Sequence, residues 1–266
     1  MKQGLPDPSG LTEVVFSALE DKARLETGSM ILLGMLAGVY IGLGGLFATV
    51  ALAGAEAVPF GARQILAGLV FAMGLALVLI AGAELFTGNT LMAGPLRAGR
   101  LTAAAVLRAW SIVYVANLAG SVLLAVVVFG AGFHEGGGDA TGRAAMTMAS
   151  IKIEKSFPTL VASGVLANML VCLAVWMAYG GHTVTQKIAG LILPITAFVA
   201  GGFEHSVANM YLLPYAWLIQ GAVEGSSVSV SIGGIVGNLI PATLGNIIGG
   251  SLVALTYGHL YAQKDR

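Results

Sequence analysis

The sequence is poor in charged residues and in cysteine. Only 10% of its 266 residues are charged and 57% are hydrophobic, whereas an ordinary soluble domain has about 25% charged residues. Thirteen basic and thirteen acidic residues cancel, so the chain lacks the basic excess that is typical of nucleic-acid binding. The single cysteine, Cys172, excludes an intrachain disulfide framework and a multi-cysteine zinc site. These shortages exclude most soluble classes and leave a membrane protein.

Long apolar runs are what the sequence has in excess. A helix needs about 20 apolar residues to cross roughly 30 Å of hydrocarbon. Six runs qualify: 29–54, 64–96, 109–133, 157–181, 188–219 and 228–258. The second and fifth are too long for one straight span and too short for two, and each has a carboxylate near its middle. The sequence therefore predicts an all-α polytopic membrane protein with six transmembrane helices, of which helices 2 and 5 are broken.

The segments before and after these runs predict the domain organisation. Residues 1–28 form a cytoplasmic, amphipathic N-terminal helix with Ser9 as a candidate cap, residues 29–260 form the six-helix channel domain, and residues 261–266 form a cytoplasmic tail. Lysine and arginine favour the cytoplasmic side of a membrane. With the N-terminus inside, that side holds nine of them against four on the other side. Both termini are therefore expected in the cytoplasm.

The two interrupted runs share one motif. Both read Gly-x-Glu-x-x-x-x-Asn, with Glu84 and Asn89 in the first and Glu204 and Asn209 in the second. Backbone can leave a helix inside a membrane only where protein or a water-filled cavity satisfies its polar groups. We expect these four side chains to anchor the two loops. The carboxylates would accept hydrogen bonds from backbone N–H groups that the breaks leave unpaired.

Weaker matches extend this doubling to the other spans. Segment 34–37 (Gly-Met-Leu-Ala) parallels 164–167 (Gly-Val-Leu-Ala), and the pattern Asn-x-x-Gly begins at both Asn117 and Asn246. Two halves of three spans each must have opposite orientations, because three is odd. The sequence therefore predicts two inverted three-helix repeats, an aquaporin-like arrangement that builds pores and transporters.

Polar side chains within or beside the spans are the candidates for function. His205 can donate from one ring nitrogen and accept at the other, and an unperturbed histidine changes its charge near neutral pH. Thr87 can donate to a substrate oxygen or to His205. Lys152, just before the fourth span, can add a positive field at the mouth of a pore, although Lys155 competes for that role and Glu154 reduces it. A solvated loop is the alternative for both lysines.

Enzyme, metal and water-channel signatures are missing from the sequence. An intramembrane serine protease would need Gly-x-Ser-Gly, but residue 161, before Ser163-Gly164, is valine. No spacing of histidines supports a metal triad, and neither broken run contains the Asn-Pro-Ala of a water channel. We expect no enzyme activity, no metal and no cofactor.

Three segments together resemble the formate/nitrite transporter family. They are 81–89 (Ala-Gly-Ala-Glu-Leu-Phe-Thr-Gly-Asn), 168–177 (Asn-Met-Leu-Val-Cys-Leu-Ala-Val-Trp-Met) and 202–210 (Gly-Phe-Glu-His-Ser-Val-Ala-Asn-Met). The resemblance runs from about residue 10 to residue 260. It implies a homopentamer of aquaporin-like protomers in a bacterial or archaeal type of plasma membrane. It also implies small monovalent anions as substrates, namely formate, nitrite, hydrosulfide or short carboxylates.

The resemblance also implies roles for individual residues. The family's central histidine, loop threonine, pore asparagine and vestibule lysine fall on His205, Thr87, Asn168 and Lys152. Its apolar constrictions fall on Phe71, Leu75, Leu85 and Phe198. For the last four, ordinary packing within the bundle is the alternative.

Desolvation suggests how such a pore would work. Carrying a bare anion through an apolar ring costs several kcal/mol, whereas the neutral acid passes more easily. We therefore expect proton-coupled or pH-dependent passage of formate centred on His205. Formate is the substrate that we expect. This expectation rests on the breadth of the family and not on any single residue of the sequence. The alternatives are a channel of the same family that prefers nitrite or hydrosulfide, and an aquaporin-like channel for neutral solutes.

Overall fold

The computed structural model describes residues 6–223 and 229–262, which fold into helices joined by short turns. The α-helices are α1 (Pro8–Ala23), α2 (Thr27–Leu52), α3 (Phe60–Leu77), α4 (Phe86–Asn89), α5 (Ala93–Arg97), α6 (Ala103–Gly130), α7 (Gly136–Ile153), α8 (Phe157–Tyr179), α9 (Val184–Ala200), α10 (Ser206–Ile219) and α11 (Ile232–Tyr261). A π-helical turn follows α3 at Val78–Gly82, and short 3-10 segments lie at Thr90–Met92 and Phe133–Glu135.

Several of these helices have the length and composition of membrane spans. They are α2, the continuous stretch Phe60–Gly82, α6, α8 and α11, with mean hydropathies from 1.6 to 2.6. Helix α9 is also apolar but shorter, at 17 residues. The predicted all-helical chain with several membrane-length helices is confirmed. The start of the last predicted run, residue 228, lies outside the described residues.

The cap of helix α1 lies two residues before the predicted one, at Asp7 instead of Ser9. The Asp7 carboxylate accepts the Gly10 N–H at 2.7 Å, and Ser9 Oγ donates to the same oxygen at 2.9 Å. The choice of Ser9 as cap is therefore wrong, because Pro8 suits the first helical position and Asp7 lies just before it. The hydrogen bond from the Gly10 backbone, followed by that from Ser9, lowers the pKa of the Asp7 carboxyl.

Glycines bring α2 against α6 and α8 against α11. A Cβ at Gly120 of α6 would strike the carbonyl oxygen of Met35, and a Cβ at Gly249 of α11 would strike that of Val165. These four residues belong to the paired sequence segments that begin at residues 34 and 164 and at Asn117 and Asn246. The repeated patterns therefore meet in space, and the absence of side chains lets the backbones approach closely.

Helix α6 links the two ends of the bundle. Beside its start, Arg108 donates to the Leu25 carbonyl at 3.0 Å and Arg100 pairs with Glu13 of α1 at 2.7 Å. After 28 residues, which span about 42 Å at 1.5 Å per residue, the chain continues into the segment that carries α7. We call the two ends of the bundle that α6 connects the α1 end and the α7 end.

The glycine contacts can be tested by replacing glycine with alanine, which adds one methyl group, at two positions of α11. In Gly249→Ala the new Cβ meets the Val165 carbonyl, whereas at Gly237 no described atom lies within 4 Å of a Cβ. Overpacking costs about 1–3 kcal/mol. We expect Gly249→Ala to lower the midpoint of thermal unfolding of the detergent-solubilised protein and Gly237→Ala not to lower it. Equal midpoints for the two variants would contradict this account of the helix contact.

Candidate functional site

Each interrupted stretch leaves the helix at a glycine. Gly82 has φ of 83° and Gly202 has φ of 64°, a region of backbone space that glycine occupies without steric cost. The chain is then non-helical at 83–85 and at 203–205, until α4 begins at Phe86 and α10 at Ser206. Both glycines open the Gly-x-Glu-x-x-x-x-Asn motif, so the motif marks the points where the helices stop.

A buried asparagine of α6 holds the first loop. Asn117 Oδ1 accepts the Phe86 N–H at 2.9 Å, while its Nδ2 donates to the carbonyls of Glu84 at 2.9 Å and Gly34 at 2.8 Å. The backbone groups that the break leaves unpaired are thus satisfied from a neighbouring helix.

A second asparagine, from α11, repeats these contacts at the other loop. Asn246 Oδ1 accepts the Ser206 N–H at 2.8 Å, and its Nδ2 donates to the carbonyls of Glu204 and Gly164, each at 2.9 Å. The sequence pattern at Asn117 and Asn246 indicated a repeat but no role for the two side chains. The sequence signal for this role was the asparagine side chain itself. A polar amide that recurs within apolar spans needs a hydrogen-bond partner there.

The motif carboxylates bind side chains instead of loop N–H groups. Glu84 accepts from Asn89 Nδ2 at 3.0 Å and pairs with Lys22 of α1 at 2.6 Å. Glu204 accepts from Asn209 Nδ2 at 2.6 Å. The expectation that Glu84 and Glu204 accept from the broken backbone is wrong. Each loop needs both a donor and an acceptor from its anchor, which an amide supplies and a carboxylate does not.

The ion pair at the α1 end joins α1 to the first loop. Burial opposes the charged form of Lys22, but the nearby Glu84 carboxylate offsets that effect and the pKa of Lys22 is raised. Lys22 therefore remains a cation. From the sequence alone, Lys22 is only one of the basic residues that predict the orientation in the membrane.

At the α7 end, two lysines share one carboxylate. Lys152 lies 3.2 Å and Lys155 2.7 Å from the Glu204 oxygens, and Lys155 also donates to the Gly202 carbonyl at 2.9 Å. The side chains of Lys152 and Lys155 are 15% and 22% exposed. From the sequence, Lys155 is an alternative to Lys152 as the source of a positive field at the mouth of a pore. The structure brings both lysines to the same carboxylate. The solvated-loop alternative is wrong for both, because each is mostly buried against Glu204.

Thr87 and His205 meet between the two loops. Thr87 Oγ1 lies 2.9 Å from His205 Nε2, and His205 Nδ1 accepts the Ala208 N–H at 3.2 Å. An accepting Nδ1 carries no hydrogen, so in the neutral ring Nε2 carries it and donates to Thr87 Oγ1. The hydrogen of the Thr87 hydroxyl is then available for a third group.

Asn168 connects this pair to the scaffold. Its Nδ2 donates to the Thr87 carbonyl at 3.2 Å, to Thr90 Oγ1 at 2.9 Å and to the Asn246 carbonyl at 2.6 Å. Cys172 Sγ lies 3.5 Å from the same Thr87 carbonyl. The structure thus places the Asn168 amide against protein acceptors, where it positions Thr87.

Two aromatic rings cover the histidine. Phe198 lies 5.6 Å from His205 between ring centroids, and Phe71 packs edge-on against Phe198 at 5.4 Å. Both phenylalanine side chains are buried. The polar pair therefore lies against an apolar surface at the place where the sequence suggested a constriction.

A cavity opens from the α1 end toward the site. It measures about 530 Å³, and its charged lining residues are Asp21, Lys22, Glu84 and Lys187. A smaller cavity of about 20 Å³ shares Lys22 with it and reaches Leu75 and Leu85. Both leucines are buried and line this smaller cavity.

Comparisons with known proteins agree on one family. The family model described as formate/nitrite transporter matches residues 9–260. The formate channel FocA of Escherichia coli strain K12 is 34% identical over 271 residues, which cover 97% of this chain and 95% of FocA. A probable formate transporter of Methanothermobacter thermautotrophicus is 36% identical, with 99% of this chain and 100% of that protein covered. A solved pentameric formate channel with formate bound has 37% identity and a TM-score of 0.83, over 88% of this chain and 97% of that one.

The asparagine anchor can be tested against a neighbour on the same helix. Asn117→Ala removes three hydrogen bonds and leaves a buried loop N–H unpaired, whereas Ser121→Ala, one turn later, removes a single bond of 3.2 Å to Gly38. A buried group left unpaired costs about 1–3 kcal/mol. We expect Asn117→Ala to lower the unfolding midpoint in denaturant clearly more than Ser121→Ala. Similar losses in both variants would show that Asn117 is not the loop's anchor.

Proposed function

This chain belongs to the formate/nitrite transporter family and is a membrane protein, and on that basis we propose that it is a channel for small monovalent anions with formate as its substrate. The names of its relatives favour formate over nitrite and hydrosulfide. The relatives compared above are channels or transporters, not enzymes. The solved neighbour described as pentameric supports a homopentamer as the assembly of this chain.

The proposed protomer has six spans in two inverted repeats. The first repeat comprises α2, the broken span formed by α3 to α5, and α6; the second comprises α8, the broken span formed by α9 and α10, and α11. The matching contacts of Asn117 and Asn246 with their loops support this division. Residues 29–260 would form the channel domain.

The α1 end would face the cytoplasm of a plasma membrane. Lys22, Arg100, Arg108 and Lys187 all lie at this end, and basic residues favour the cytoplasmic side. The segment 1–28, which includes α1, would then be cytoplasmic, as would the tail 261–266, of which residues 263–266 lie outside the described part of the chain.

The contact between Thr87 and His205 carries the functional proposal. With Nε2 donating to Thr87 Oγ1, the threonine hydroxyl would donate to a formate oxygen beside Phe71 and Phe198. His205 would orient Thr87, and Asn168 would hold the threonine backbone in place. The leucine and phenylalanine constrictions would exclude water, so that each hydrogen bond at this point is worth more than in solvent.

The proton would come from the solvent in the vestibule. A neutral His205 that gave up its Nε2 hydrogen without gaining another would become an anion in an apolar site, at a prohibitive cost. When formate leaves water for the apolar constriction, its protonation equilibrium shifts toward formic acid, because burial penalises the charged form. Formate would therefore take up a proton as it enters, cross beside Thr87 as formic acid, and release the proton on the other side.

The hydroxyl of Thr87 is tested by a matched pair of substitutions. Thr87→Val keeps the shape and removes the hydroxyl, whereas Thr87→Ser keeps the hydroxyl. Because a buried polar group left without its hydrogen-bond partner costs about 1–3 kcal/mol, we expect Thr87→Val to reduce formate flux into proteoliposomes roughly tenfold or more and Thr87→Ser to retain most of it. Wild-type flux in Thr87→Val would refute the role of the hydroxyl. Glycerol flux without formate flux in the wild type would place the chain among neutral-solute channels.

Proton uptake predicts a pH dependence. As external pH falls from 8 to 5, the fraction of formate entering as the neutral acid rises, so formate influx into proteoliposomes should rise several-fold at constant total formate. The internal pH is held by buffer, and protein-free liposomes give the background of formic acid that crosses the lipid. Influx that is flat over this range after subtraction would contradict proton-coupled passage.

A further inference from the structure

Three side chains lie within hydrogen-bonding reach of the carbonyl oxygen of Thr87. Thr90 Oγ1 donates to it at 2.6 Å, whereas Asn168 Nδ2 lies at 3.2 Å and Cys172 Sγ at 3.5 Å. All four residues are fully buried. The hydroxyl of Thr90, which the sequence patterns did not indicate as functional, is therefore the nearest of the three donors.

The amide of Asn168 has more acceptors around it than hydrogens to give. Nδ2 carries two hydrogens, but three oxygens surround it: the Asn246 carbonyl at 2.6 Å, Thr90 Oγ1 at 2.9 Å and the Thr87 carbonyl at 3.2 Å. The opposite orientation of the amide would turn its oxygen toward two carbonyl oxygens, neither of which can donate. Because the two nearer acceptors take the two hydrogens, Asn168 acts on Thr87 mainly through Thr90.

Thr90 can both accept from Asn168 and donate to Thr87. A hydroxyl has one hydrogen and two lone pairs. Since Thr90 Oγ1 accepts from Asn168 Nδ2, its own hydrogen is left for the Thr87 carbonyl. Helix α4, which carries Thr87, has only four residues, and Gly88 after Thr87 restricts the backbone less than any other residue would. Contacts from side chains are therefore needed to fix the Thr87 peptide.

Helix α11 leaves room for this chain of hydrogen bonds. A Cβ at Gly250 would collide with Thr90 Oγ1 and would lie 2.7 Å from Asn168 Nδ2. The absence of a side chain at Gly250 thus lets the two donors meet beside Thr87.

The second loop has different residues at the corresponding positions. In its copy of the motif, Met210 stands where the first loop has Thr90, and Val207 stands where it has Thr87. An apolar valine needs no orientation toward a hydrogen-bond partner. The chain of hydrogen bonds is therefore found at the loop that carries the hydroxyl.

We propose that Thr90 is a positioning residue for transport, whose hydroxyl connects the Asn168 amide to the Thr87 carbonyl and thereby orients the Thr87 hydroxyl toward the passing anion. This inference deepens the proposed function and rests on it. A hydrogen bond weakens steeply as its donor angle departs from linearity. Loss of the Thr90 hydroxyl would free the Thr87 peptide and weaken the bond to the anion, although the Thr87 hydroxyl itself remains.

The transport test measures the KM for formate in proteoliposomes. Thr90→Val keeps the shape and removes the hydroxyl, and we expect it to raise the KM roughly threefold or more. Thr90→Ser keeps the hydroxyl and should retain the wild-type KM. A variant that was only less stable would lower the maximal rate and leave the KM unchanged. An unchanged KM in Thr90→Val, or an equal rise in Thr90→Ser, would overturn the proposal.

Thr49→Val is the matched control. Thr49 of α2 is also buried, and its Oγ1 also donates to a backbone carbonyl, that of Gly45 at 2.9 Å. This variant loses the same kind of hydrogen bond away from Thr87 and should keep the wild-type KM. A rise equal to that of Thr90→Val would overturn the assignment of the effect to Thr90.

A structural measurement separates this inference from the transport function. Crystal structures of the wild type, Thr90→Val and Thr90→Ser give the distance from Thr87 Oγ1 to His205 Nε2, which is 2.9 Å here. If Thr87 loses this contact in Thr90→Val and keeps it in Thr90→Ser, the positioning role is supported even if the protein transports no formate. Wild-type geometry of Thr87 in Thr90→Val would overturn it. If Thr90→Val fails to assemble, Thr90→Ala takes its place in both measurements.

Discussion

The hydrogen bonds of two asparagines to interrupted backbone are the contacts on which the rest of the site depends. A helix that stops inside an apolar bundle exposes N–H and C=O groups, and each unpaired group costs free energy that packing cannot recover. Asn117 and Asn246 supply a donor and an acceptor at each break. Because both loops are held in this way, Thr87 of one loop and His205 of the other can stand 2.9 Å apart in a fixed orientation.

The two loops share their scaffold and differ in their chemistry. The position directly after the motif glutamate holds Leu85 in the first loop and His205 in the second. The position three residues after the glutamate holds Thr87 in the first loop and Val207 in the second. The shared glycines, glutamates and asparagines set the backbone. The unmatched positions supply an apolar side chain, a ring and a hydroxyl at the same level of the bundle. The positions that the two motifs share thus account for the framework, and the positions at which they differ account for the candidate site.

Features that depend on neighbouring residues were predicted from the sequence better than contacts between residues far apart in the chain. The apolar runs and the repeated motif predicted the helical segments and the points where they stop, because both follow from composition over short windows. The lysine partners of Glu84 and Glu204 were missed, because Lys22 and Lys152 lie 62 and 52 positions away along the chain. The cap of α1 was misplaced for a local reason, since Asp7 and Ser9 are both good caps and only Pro8 between them decides.

Buried carboxylates in a path for anions require an explanation by charge. An unpaired carboxylate beside the loops would repel the substrate and would be costly to bury. Lys22 at the α1 end, and Lys152 and Lys155 at the α7 end, pair with these carboxylates and so offset that repulsion. Between the two ends, Thr87 and a neutral His205 offer hydrogen bonds without net charge. Under the proposed function, an anion that reaches Thr87 would meet no compensating cation there, and uptake of a proton would be the physical way across.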